Sequence, residues 1–600
     1  MPAPSLHHFS PRPNRAHEIP WLEWGPEVFE RARAEDKPVL LGLSAVWCHW
    51  CHVMDETTYS DPRVIALVSS RFIPVRVDND TRPDVNGRYN MGGWPTTAFL
   101  DEDGEVLAGF TYVPPDRMLE LLNRVNEAWH TGRDEVRARV AEVRRRRDER
   151  EQAPLASGAL DDEIVRRIRA AIDAAYDVEQ GGFGDAPKFP HSDALRLLIR
   201  AGIRDGDDEA LGRARFTLQQ MAGGGSYDHV EGGFFRYSTT RDWSVPHFEK
   251  MSEDHGGLLL ALAELGLASP EDRAVARAIV EPTIGYLDHT LSAPDGGFYG
   301  SQDADEAYFA LDADARVDRE RPYVDARAYA SWTAGLARAY LACGVSFDRA
   351  DWVERGTRAV DFVWSRMRAG TAGIYRYYDG TPHLLGLLGD QAAMALALLD
   401  AYEVTADPIY LDRARQLMRL IDERWRAPGG ACWDVARDHE QTGLLALPTQ
   451  PLADNAEVAE AFLRIARLTH DDHYLRIADE TLRAFAASYE GYGLLAASYA
   501  LAVDRLLAGE PEITVIGSAD PDIAPRARSL HGAALRLPLI PRSVQWLEPG
   551  RDDVAIAQLG LPRDREAVAY ACVGQVCSAP VGYAGDLWQA VVEARAAPAY

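Results

Sequence analysis

The sequence predicts a multidomain protein of the α/β plus all-α class, in which two small α/β parts flank a long helical part. Three observations lead to this fold class. Apolar strand-like runs alternate with helical segments near the start, Ala, Leu and Arg recur at helical spacing through the middle, and short apolar runs separated by Gly and Pro return near the end. The predicted units are a small α/β domain over 1–131, a charged linker over 132–158, a helical domain over 159–508 and a small α/β segment over 509–600.

The composition is that of an acidic globular protein. Its 600 residues are 46% hydrophobic and 26% charged, which excludes a disordered or fibrous chain. Lys and Arg number 64 against 92 for Asp and Glu, and the net charge of -28 argues against nucleic acid or a membrane surface as a partner. No apolar run has membrane-spanning length, the start lacks the apolar stretch of a secretion signal, and there are only 6 cysteines. We therefore expect a soluble, cytoplasmic protein.

The sharpest chemical signal is a Cys-x-x-Cys motif at Cys48 and Cys51. It follows an apolar strand-like run over residues 39–45, and a helical segment begins at the first cysteine. A helix N-terminus lowers the pKa of a thiol, because its free N–H groups and its dipole stabilise the thiolate. This is the thioredoxin arrangement, in which Cys48 attacks a substrate sulfur and Cys51 resolves the mixed disulfide. Four neighbours are expected to shape the redox site: Trp47, His49, Trp50 and Pro95.

Pro95 stands just before a predicted strand, where thioredoxin-like folds carry a cis proline beside the cysteines. Three other interpretations of the cysteine motif stay open. With His52, the motif also spells a c-type haem attachment site; a zinc ion could use the two cysteines and a nearby histidine; and the domain could be a vestigial scaffold. The redox interpretation is preferred. It makes protein thiols or disulfides the expected partners, and no metal and no cofactor are predicted.

The other cysteines carry weaker signals. Cys343 and Cys432 lie in helical or loop segments and are predicted to pack in the core. Cys572 and Cys577 form a Cys-x4-Cys pair near the end of the chain. Two buried thiols is the preferred interpretation of this pair, and a second exchange site or a metal corner is the alternative.

A loop with Gly followed by an aromatic or apolar residue recurs through the helical part. These loops lie at Gly182, Gly233, Gly297, Gly373, Gly430 and Gly491, with about twelve amphipathic segments between them. Six helix pairs with a recurrent turn predict an (α/α)6 toroid, in which inner and outer helix rings close around a central cavity. An open solenoid is the alternative. Closure is favoured because the unusual residues cluster at the loops and not along one face.

The densest polar constellation lies on one long loop, residues 227–254, at the predicted mouth of the toroid. Aromatic side chains there could stack on a sugar while carboxylates and histidines bind hydroxyl groups or move protons. The alternative is that the charges only satisfy the loop's own backbone. The candidate ligand site of the barrel, for a sugar-like small molecule, comprises His191, Asp228, His229, Arg236, Tyr237, Trp243, His247, Glu249, Lys250, Asp254, Asp303 and Asp305.

Several of these segments together resemble the spermatogenesis-associated protein 20 family and its bacterial relatives. The matching motifs are KPVLLGLSAVWCHWCHVM, DNDTRPDV, GGWPTTAFL, GGFGDAPKFP, GGFFRYSTTRDWSVPHFEKM and GGFYGSQDADE, with weaker similarity up to ACVGQVCSAPV. The resemblance implies a thioredoxin-like domain followed by a six-hairpin barrel similar to N-acylglucosamine 2-epimerases and six-hairpin glycosidases. It also implies the redox role of Cys48 and Cys51, and it implies no particular substrate.

The chain departs from the family's pattern in three places. The segment between Asn86 and Gly92 is short; residues 324–327 and 331–333 replace an Asp-Asp-Lys and a Trp-Asn-Gly; and residues 452–455 replace a Pro-Ser-Gly-Asn-type turn. We therefore expect a more open groove beside Pro95. We also expect fewer polar groups in the second half of the barrel mouth than in the first.

Three functions are consistent with the sequence. The preferred one is a cytoplasmic thiol–disulfide oxidoreductase that uses the CHWC motif, with a helical barrel that supplies a ligand or partner site. The first alternative is a carbohydrate-active barrel, resembling an epimerase, an isomerase or a glycosidase, with an accessory thioredoxin domain. The second is a binding or scaffold protein without either activity.

Overall fold

The computed structural model describes residues 7–151, 157–439, 442–518, 524–562, 566–574 and 576–596. The predicted linker therefore lies partly outside the described residues, at 152–156. A thioredoxin-like domain, a ring of helices and a small α/β segment follow one another in the predicted order. The predicted fold class is confirmed.

The first part is a four-stranded sheet between two layers of helices. Its elements are α1 (Pro26–Glu35), β1 (Val39–Ser44), α2 (His49–Glu56), α3 (Pro62–Arg71), β2 (Ile73–Asp78), α4 (Pro83–Tyr89), β3 (Thr96–Leu100), β4 (Val106–Phe110), α5 (Pro115–Thr131) and α6 (Arg133–Glu151). The strand order is β2-β1-β3-β4, with β1 parallel to β2 and β3 antiparallel to both of its neighbours. Alternate residues of β1 serve two cores, since Val39, Leu41 and Leu43 pack with α1 and Leu40 packs with α3 and α5.

The charged helix α6 is attached to this domain. Its Arg144 and Arg147 reach Glu105 at 3.0 and 2.8 Å, and the Glu105 residue is only 5% exposed. The first part of the predicted charged linker is thus a helix that forms ion pairs with the sheet.

Helix pairs with short strands in their loops build the second part. The helices are α7 (Asp162–Ala175), α8 (Ser192–Asp205), α9 (Asp208–Gly223), α10 (Ser252–Leu265), α11 (Pro270–Tyr286), α12 (Glu306–Phe309), α13 (Ala313–Val317), α14 (Ala330–Phe347), α15 (Ala350–Arg366), α16 (Leu388–Thr405), α17 (Pro408–Arg424), α18 (Leu452–Thr469), α19 (Asp472–Arg483) and α20 (Ala497–Leu507). The strands are β5 (Tyr237–Ser238), β6 (Pro246–His247), β7 (Lys250–Met251), β8 (Ser301–Gln302), β9 (Val324–Asp325), β10 (Ala328–Tyr329), β11 (Tyr375–Tyr378) and β12 (Pro382–Leu385).

The inner helices form a closed ring, and an outer helix packs against each of them. In the inner ring α8 contacts α10, and contacts continue through α14, α16 and α18 to α20, which returns to α8. Each inner helix packs against an outer one, and the first outer helix, α7, pairs with the last inner helix, α20. This pairing of the two ends closes the toroid and excludes the open solenoid.

The recurrent glycines permit close approach between their loops and neighbouring aromatic side chains. Gly182 has φ +77°, and a Cβ added there would lie 2.4 Å from the ring of Trp243. Gly233 has φ +84°, and its added Cβ would lie 2.6 Å from Tyr286. Any other residue would be strained and would clash at both positions.

The third part is a second four-stranded sheet. Its elements are β13 (Pro511–Ile516), α21 (Ala524–Leu535), β14 (Ser543–Leu547), α22 (Asp553–Gln558), β15 (Val568–Val573), β16 (Val576–Cys577) and α23 (Leu587–Ala596), and the strand order is β14-β13-β15-β16. Cys572 and Cys577 are directly paired across β15 and β16 and form a disulfide. Cys577 is exposed, so the prediction of two buried thiols is wrong. Sequence spacing alone does not show that a hairpin turn sets the two residues opposite each other.

The two small domains cover opposite ends of the toroid. The first turns of the inner helices, with Ser192 and Ser331 among them, line a cavity together with residues of the N-terminal domain such as Asn79. The last turns of the same helices lie against the third part, where Glu264 and Glu403 share a smaller cavity with residues that precede β14. The thioredoxin-like domain thus sits over the helix N-termini.

Candidate functional site

The cysteine pair lies where β1 ends and α2 begins. Cys48 caps the helix, and its Sγ accepts a hydrogen bond from the backbone N–H of Cys51 at 3.2 Å. The two cysteines form a disulfide and are 5% and 2% exposed. The peptide bond between Trp94 and Pro95 is cis, and Pro95 is buried. Cys48 therefore stands at the positive end of the α2 dipole, which is the position that stabilises a thiolate.

The barrel covers the cysteine pair. Met251, Tyr329 and Trp332, all from the toroid, form one apolar cluster with the cysteines and Trp47. Trp50, between the two cysteines, points elsewhere: it is 47% exposed and its ring lies 5.2 Å from that of Tyr112. His49 is half-buried beside it. The redox site is thus a part of the interface between the domains.

Arg236 contacts the redox site from the barrel side of this interface. Its guanidinium lies 4.2 Å from the ring centroid of Trp47 and 5.3 Å from that of Trp94, and the two indole rings meet edge to face at 5.6 Å. The backbone N–H of Arg236 donates to the carbonyl oxygen of Glu249 at 2.8 Å, which fixes the loop. One barrel residue therefore contacts both the residue before the first cysteine and the residue before the cis proline. The groove beside Pro95, which we expected to be more open, is covered here.

Asp80 connects the redox site to the rest of the interface. Its Oδ2 accepts a hydrogen bond from Trp47 Nε1 at 2.7 Å, and its backbone carbonyl accepts one from Arg376 Nε at 2.9 Å. Burial raises the pKa of Asp80 to about 7, and the carboxylates of Asp78 and Asp325 act in the same direction. The carboxyl group is thus close to half-protonated at neutral pH.

A second buried carboxyl group lies beside α2. His52 Nδ1 is 3.5 Å from Asp303 Oδ2. Burial lowers the pKa of His52 to about 3, and the neighbouring His8 acts in the same direction. Burial raises the pKa of Asp303 to about 8. At neutral pH the histidine is neutral and most of the Asp303 population is protonated, so this is a neutral contact and not an ion pair.

Hydrogen-bonded and charged side chains join the N-terminal domain to the barrel. Asp84 Oδ2 lies 3.2 Å from His439 Nε2, and both side chains are buried. Burial opposes ionisation of Asp84, but hydrogen bonds from His439 and Arg82 outweigh it and hold the pKa well below its usual range. Arg88 reaches Asp434 at 2.6 Å in the same region. The cover over the cysteines is therefore a specific interface that contains paired charges.

A cavity of about 700 Å³ lies between the N-terminal domain and the toroid. Its volume is within the usual range for small-molecule sites. Its charged lining comes from both domains and consists of Asp80, Asp84, Arg88, Asp193, Arg196, Glu253, Arg338, Arg376, Asp390, Asp434, Asp454 and Glu457. The arginines are engaged, for example Arg338 with Asp400 at 2.7 Å.

Several carboxyl groups in this cavity are held partly protonated. Burial raises the pKa of Asp454 to about 7 and that of Glu457 to about 8, and the two lie one helical turn apart on α18. Burial also raises the pKa of Glu253 and of Asp390. Asp390 is 1% exposed, and its Oδ2 has no hydrogen-bond partner among the described residues. Asp454 and Glu457 could therefore donate or accept a proton near neutral pH.

The structure divides the predicted barrel residues into two groups. Arg236 contacts Trp47 and Asp303 contacts His52, and Glu249 and Asp254 interact electrostatically with this pair. Arg236 favours ionisation of Asp254, whereas Glu249 disfavours ionisation of both aspartates. Burial, which is the larger effect, raises the pKa of Asp254 to about 7. Tyr237 and His247 stack on each other at 4.6 Å next to this group, and His247 Nδ1 is 3.2 Å from Glu249.

The other predicted barrel residues serve the loops themselves. Lys250 is fully buried and donates to Asp228 at 2.7 Å, and Trp243 is fully buried under Gly182.

The three remaining residues also have local roles. His229 is exposed and contacts the Gly224 carbonyl oxygen at 3.0 Å. His191 stands at the N-cap of α8 with its ring against Phe183, and Asp305 caps α12. None of the twelve predicted barrel residues lines the 700 Å³ cavity.

Sequence reasoning missed the carboxyl groups inside the cavity. Glu253, Asp390 and Asp454 each lie in the first turn of an inner helix, where an acidic residue is ordinarily explained by the helix dipole. The signal that could have found them is their recurrence in the first turn of several inner helices. The second half of the barrel, which we expected to be poorer in polar groups, supplies Arg338, Arg376 and most of these carboxylates, so that expectation is not met.

Two further kinds of feature are absent from the described part of the chain. No group of three or more His, Cys, Asp or Glu side chains there is arranged to hold a metal ion. Within the same residues, none of the helices combines the length and the hydropathy of a transmembrane span.

Known proteins are similar to the N-terminal domain and to most of the whole chain. A family model described as "Thioredox_DsbH: Protein of unknown function, DUF255" matches residues 11–147. The Campylobacter jejuni (strain RM1221) protein named thiol:disulfide interchange protein DsbD is 28% identical over 97 residues, which cover 16% of this chain and 17% of that protein. Among solved structures, cellobiose 2-epimerase from Spirochaeta thermophila DSM 6192 superposes with a TM-score of 0.44 at 17% identity, over 58% of this chain and 97% of that one.

Longer relatives align with much more of the chain. A Caenorhabditis elegans protein, named uncharacterized protein B0495.5, is 32% identical over 48% of this chain, and the matched region spans only 41% of the worm protein. Human spermatogenesis-associated protein 20 is 26% identical over 712 aligned positions, which cover 94% of this chain and 88% of the human protein. The predicted resemblance to the spermatogenesis-associated protein 20 family is thereby confirmed.

Proposed function

We propose that the chain is a cytoplasmic thiol–disulfide oxidoreductase in which Cys48 attacks and Cys51 resolves. The observation that carries the proposal is the position of Cys48, whose sulfur caps α2 and accepts the N–H of Cys51 at 3.2 Å. A helix N-terminus lowers a thiol pKa and so supplies the nucleophile that exchange needs. The match to a family model of the DsbH type over residues 11–147 supports the same chemistry.

The exchange proceeds in two steps. The Cys48 thiolate attacks one sulfur of a substrate disulfide, a mixed disulfide forms, and the other substrate sulfur leaves as a thiolate. The Cys51 thiolate then attacks Cys48 Sγ, which releases the second substrate sulfur and forms the Cys48–Cys51 disulfide. Two electrons pass from the protein to the substrate, and the reverse sequence oxidises a dithiol.

The barrel decides what reaches the cysteines. Because Cys48 is only 5% exposed beneath Met251, Tyr329 and Trp332, a folded protein partner cannot reach its sulfur without displacement of these side chains. We propose that the barrel restricts exchange to partners that displace this cover.

The test is the thiol pKa of Cys48 in the reduced protein. In a Cys51→Ser variant, the rate of alkylation of Cys48 is measured against pH, with a Cys48→Ser,Cys51→Ser variant as the blank. The expected pKa lies below the free-thiol value of about 8.5. A pKa at or above that value, together with no exchange of disulfides in a glutathione buffer, would contradict the proposal.

A carbohydrate-active barrel is the second candidate, and the cavity carboxyl groups favour it. Asp454 and Glu457 face the cavity from one helix with pKa values raised to about 7 and about 8, a state suited to proton transfer. A panel of sugars and sugar acids should then raise the Tm of the protein. Asp454→Asn and Glu457→Gln variants should abolish any turnover while keeping their Tm without ligand, and Asp438→Asn, an exposed position, serves as the control. No Tm shift with any sugar would remove this candidate.

A further inference from the structure

The second cysteine pair lies on an edge that solvent reaches. Cys577 belongs to β16, the outermost strand of the C-terminal sheet, and is exposed, whereas Cys572 on β15 is half-buried. The residues are in direct register across the two strands. The first pair is only 5% and 2% exposed, so the two disulfides differ sharply in access.

A carboxyl group stands opposite the inner cysteine. Glu512 on β13 is the direct register partner of Cys572. Directly opposed residues on antiparallel strands point to the same face, with Cβ atoms about 4.5 to 5.5 Å apart. Cys577, Cys572 and Glu512 therefore form one row across three strands, with the exposed sulfur at the outer end and the carboxyl group at the inner end.

Glu512 is held in a state that permits proton transfer. Burial raises its pKa to about 7, against the opposing effect of Arg467, while the nearby Glu510 adds to the rise. The Arg467 guanidinium lies 3.4 Å from Glu512, and His470 Nε2 lies 3.8 Å from it. Near neutral pH a large fraction of Glu512 carries the proton that a departing thiolate needs.

We propose that Cys572 and Cys577 form a second thiol–disulfide exchange site, which takes dithiol reductants from solution and uses Glu512 as the proton donor to Cys572. A thiolate of the dithiol attacks the exposed Cys577 Sγ, a mixed disulfide forms, and Cys572 leaves as a thiolate that takes the proton of Glu512. The second thiolate of the reductant then attacks the reductant's first sulfur, which is bonded to Cys577 in the mixed disulfide. Cys577 leaves as a thiolate. Two electrons pass from the dithiol to the protein, and the dithiol becomes a disulfide.

This inference does not depend on the proposed role of the first pair, and the experiment separates the two. The full chain carries Cys48→Ser and Cys51→Ser, so Cys572–Cys577 is the one remaining disulfide that the described residues contain. Its reduction by dithiothreitol is followed by alkylation and mass spectrometry under native conditions. A peptide of residues 570–581, oxidised to the same disulfide, gives the rate without Glu512.

The disulfide in the full chain should be reduced at least about tenfold faster than the disulfide in the peptide. This factor is smaller than is usual for general acid catalysis, because a thiolate is already a good leaving group. Glu512→Gln should bring the rate down to that of the peptide, while Glu593→Gln, an exposed glutamate on α23, should leave it unchanged. The rate of reduction in the chain that keeps Glu512, divided by the rate in its E512Q variant, should fall as pH rises from 6 to 8. Glu512 loses its proton in this pH range. His470 and Arg467 face the same carboxyl group, so a His470→Gln variant checks that the pH dependence does not come from the histidine.

Two results would overturn the proposal. One is reduction of the folded chain that is slower than that of the peptide, which would indicate a protected structural disulfide. The other is an equal rate of reduction with Glu512 and in the E512Q variant at every pH from 6 to 8. Circular dichroism of E512Q establishes that a slow rate does not come from unfolding.

Discussion

Replacing Arg236 with alanine should uncover the Cys48–Cys51 disulfide. The Arg236 guanidinium lies 4.2 Å from the Trp47 ring and 5.3 Å from the Trp94 ring, and it belongs to the barrel loop that covers the cysteines. A cation–π contact shielded from water contributes about 1 to 2 kcal/mol. Since each 1.4 kcal/mol changes a population about tenfold, the open population should rise by about 5-fold to 30-fold. If reduction requires this opening, its rate should rise by the same factor.

The assay is reduction of this disulfide by dithiothreitol under native conditions, with alkylated Cys48 and Cys51 counted by mass spectrometry. Arg241→Ala is the matched control, because Arg241 lies on the same loop but pairs with Asp177 at 2.7 Å. Its disulfide should be reduced at the wild-type rate. An unchanged rate in Arg236→Ala, with the Tm retained, would refute the reasoning that the barrel limits access to the redox site.

Three further predictions concern the interface around the cysteines. The Tm of Asp303→Asn minus that of the wild type should be larger at pH 8 than at pH 5. The raised pKa of Asp303, about 8, makes wild-type stability fall as pH rises through that range, and the variant lacks this loss. Scanning calorimetry at both pH values checks this, and an equal difference at the two pH values would contradict it. Asp84→Ala should lower the free energy of unfolding by about 2 to 3 kcal/mol at pH 7, since the contact of Asp84 with His439 is lost. Because the pKa of Asp84 is depressed, the urea midpoints of the variant and the wild type should converge as pH falls below 4. Midpoints that stay equally far apart would disprove this. Trp47→Phe should cost about 1 to 3 kcal/mol in urea unfolding, because Asp80 loses the hydrogen bond from Trp47 Nε1 at 2.7 Å; no loss would show that this bond does not hold the interface.

The sequence predicted those features that depend on short stretches of chain. The strand, the cysteine motif and the helix cap at Cys48 lie within a few residues, so their geometry follows from local rules. The glycines of the toroid loops were recognisable because positive φ values at positions such as Gly182 and Gly233 require that residue. Local rules of this kind were sufficient for the fold class.

What remained hidden depends on contacts between distant segments. Arg236 was recognised as a polar loop residue, but its place over Trp47 follows only from how one domain sits on the other. The charge of Lys250 suggested a ligand contact, but its ammonium group donates a hydrogen bond to Asp228 within the same loop. The disulfide of Cys572 and Cys577 requires knowledge of the strand register, which the sequence spacing does not contain.

Mixed-disulfide trapping tests the central claim most directly. A Cys51→Ser variant lacks the resolving thiol, so Cys48 should remain covalently attached to whatever it attacks in a lysate of the source cell. The account predicts a few discrete adducts that disappear in the Cys48→Ser,Cys51→Ser variant, which also accounts for any adduct formed through Cys577. The same set of adducts in both variants, or no adduct in either, would contradict the claim that Cys48 is the nucleophile of a thiol–disulfide oxidoreductase.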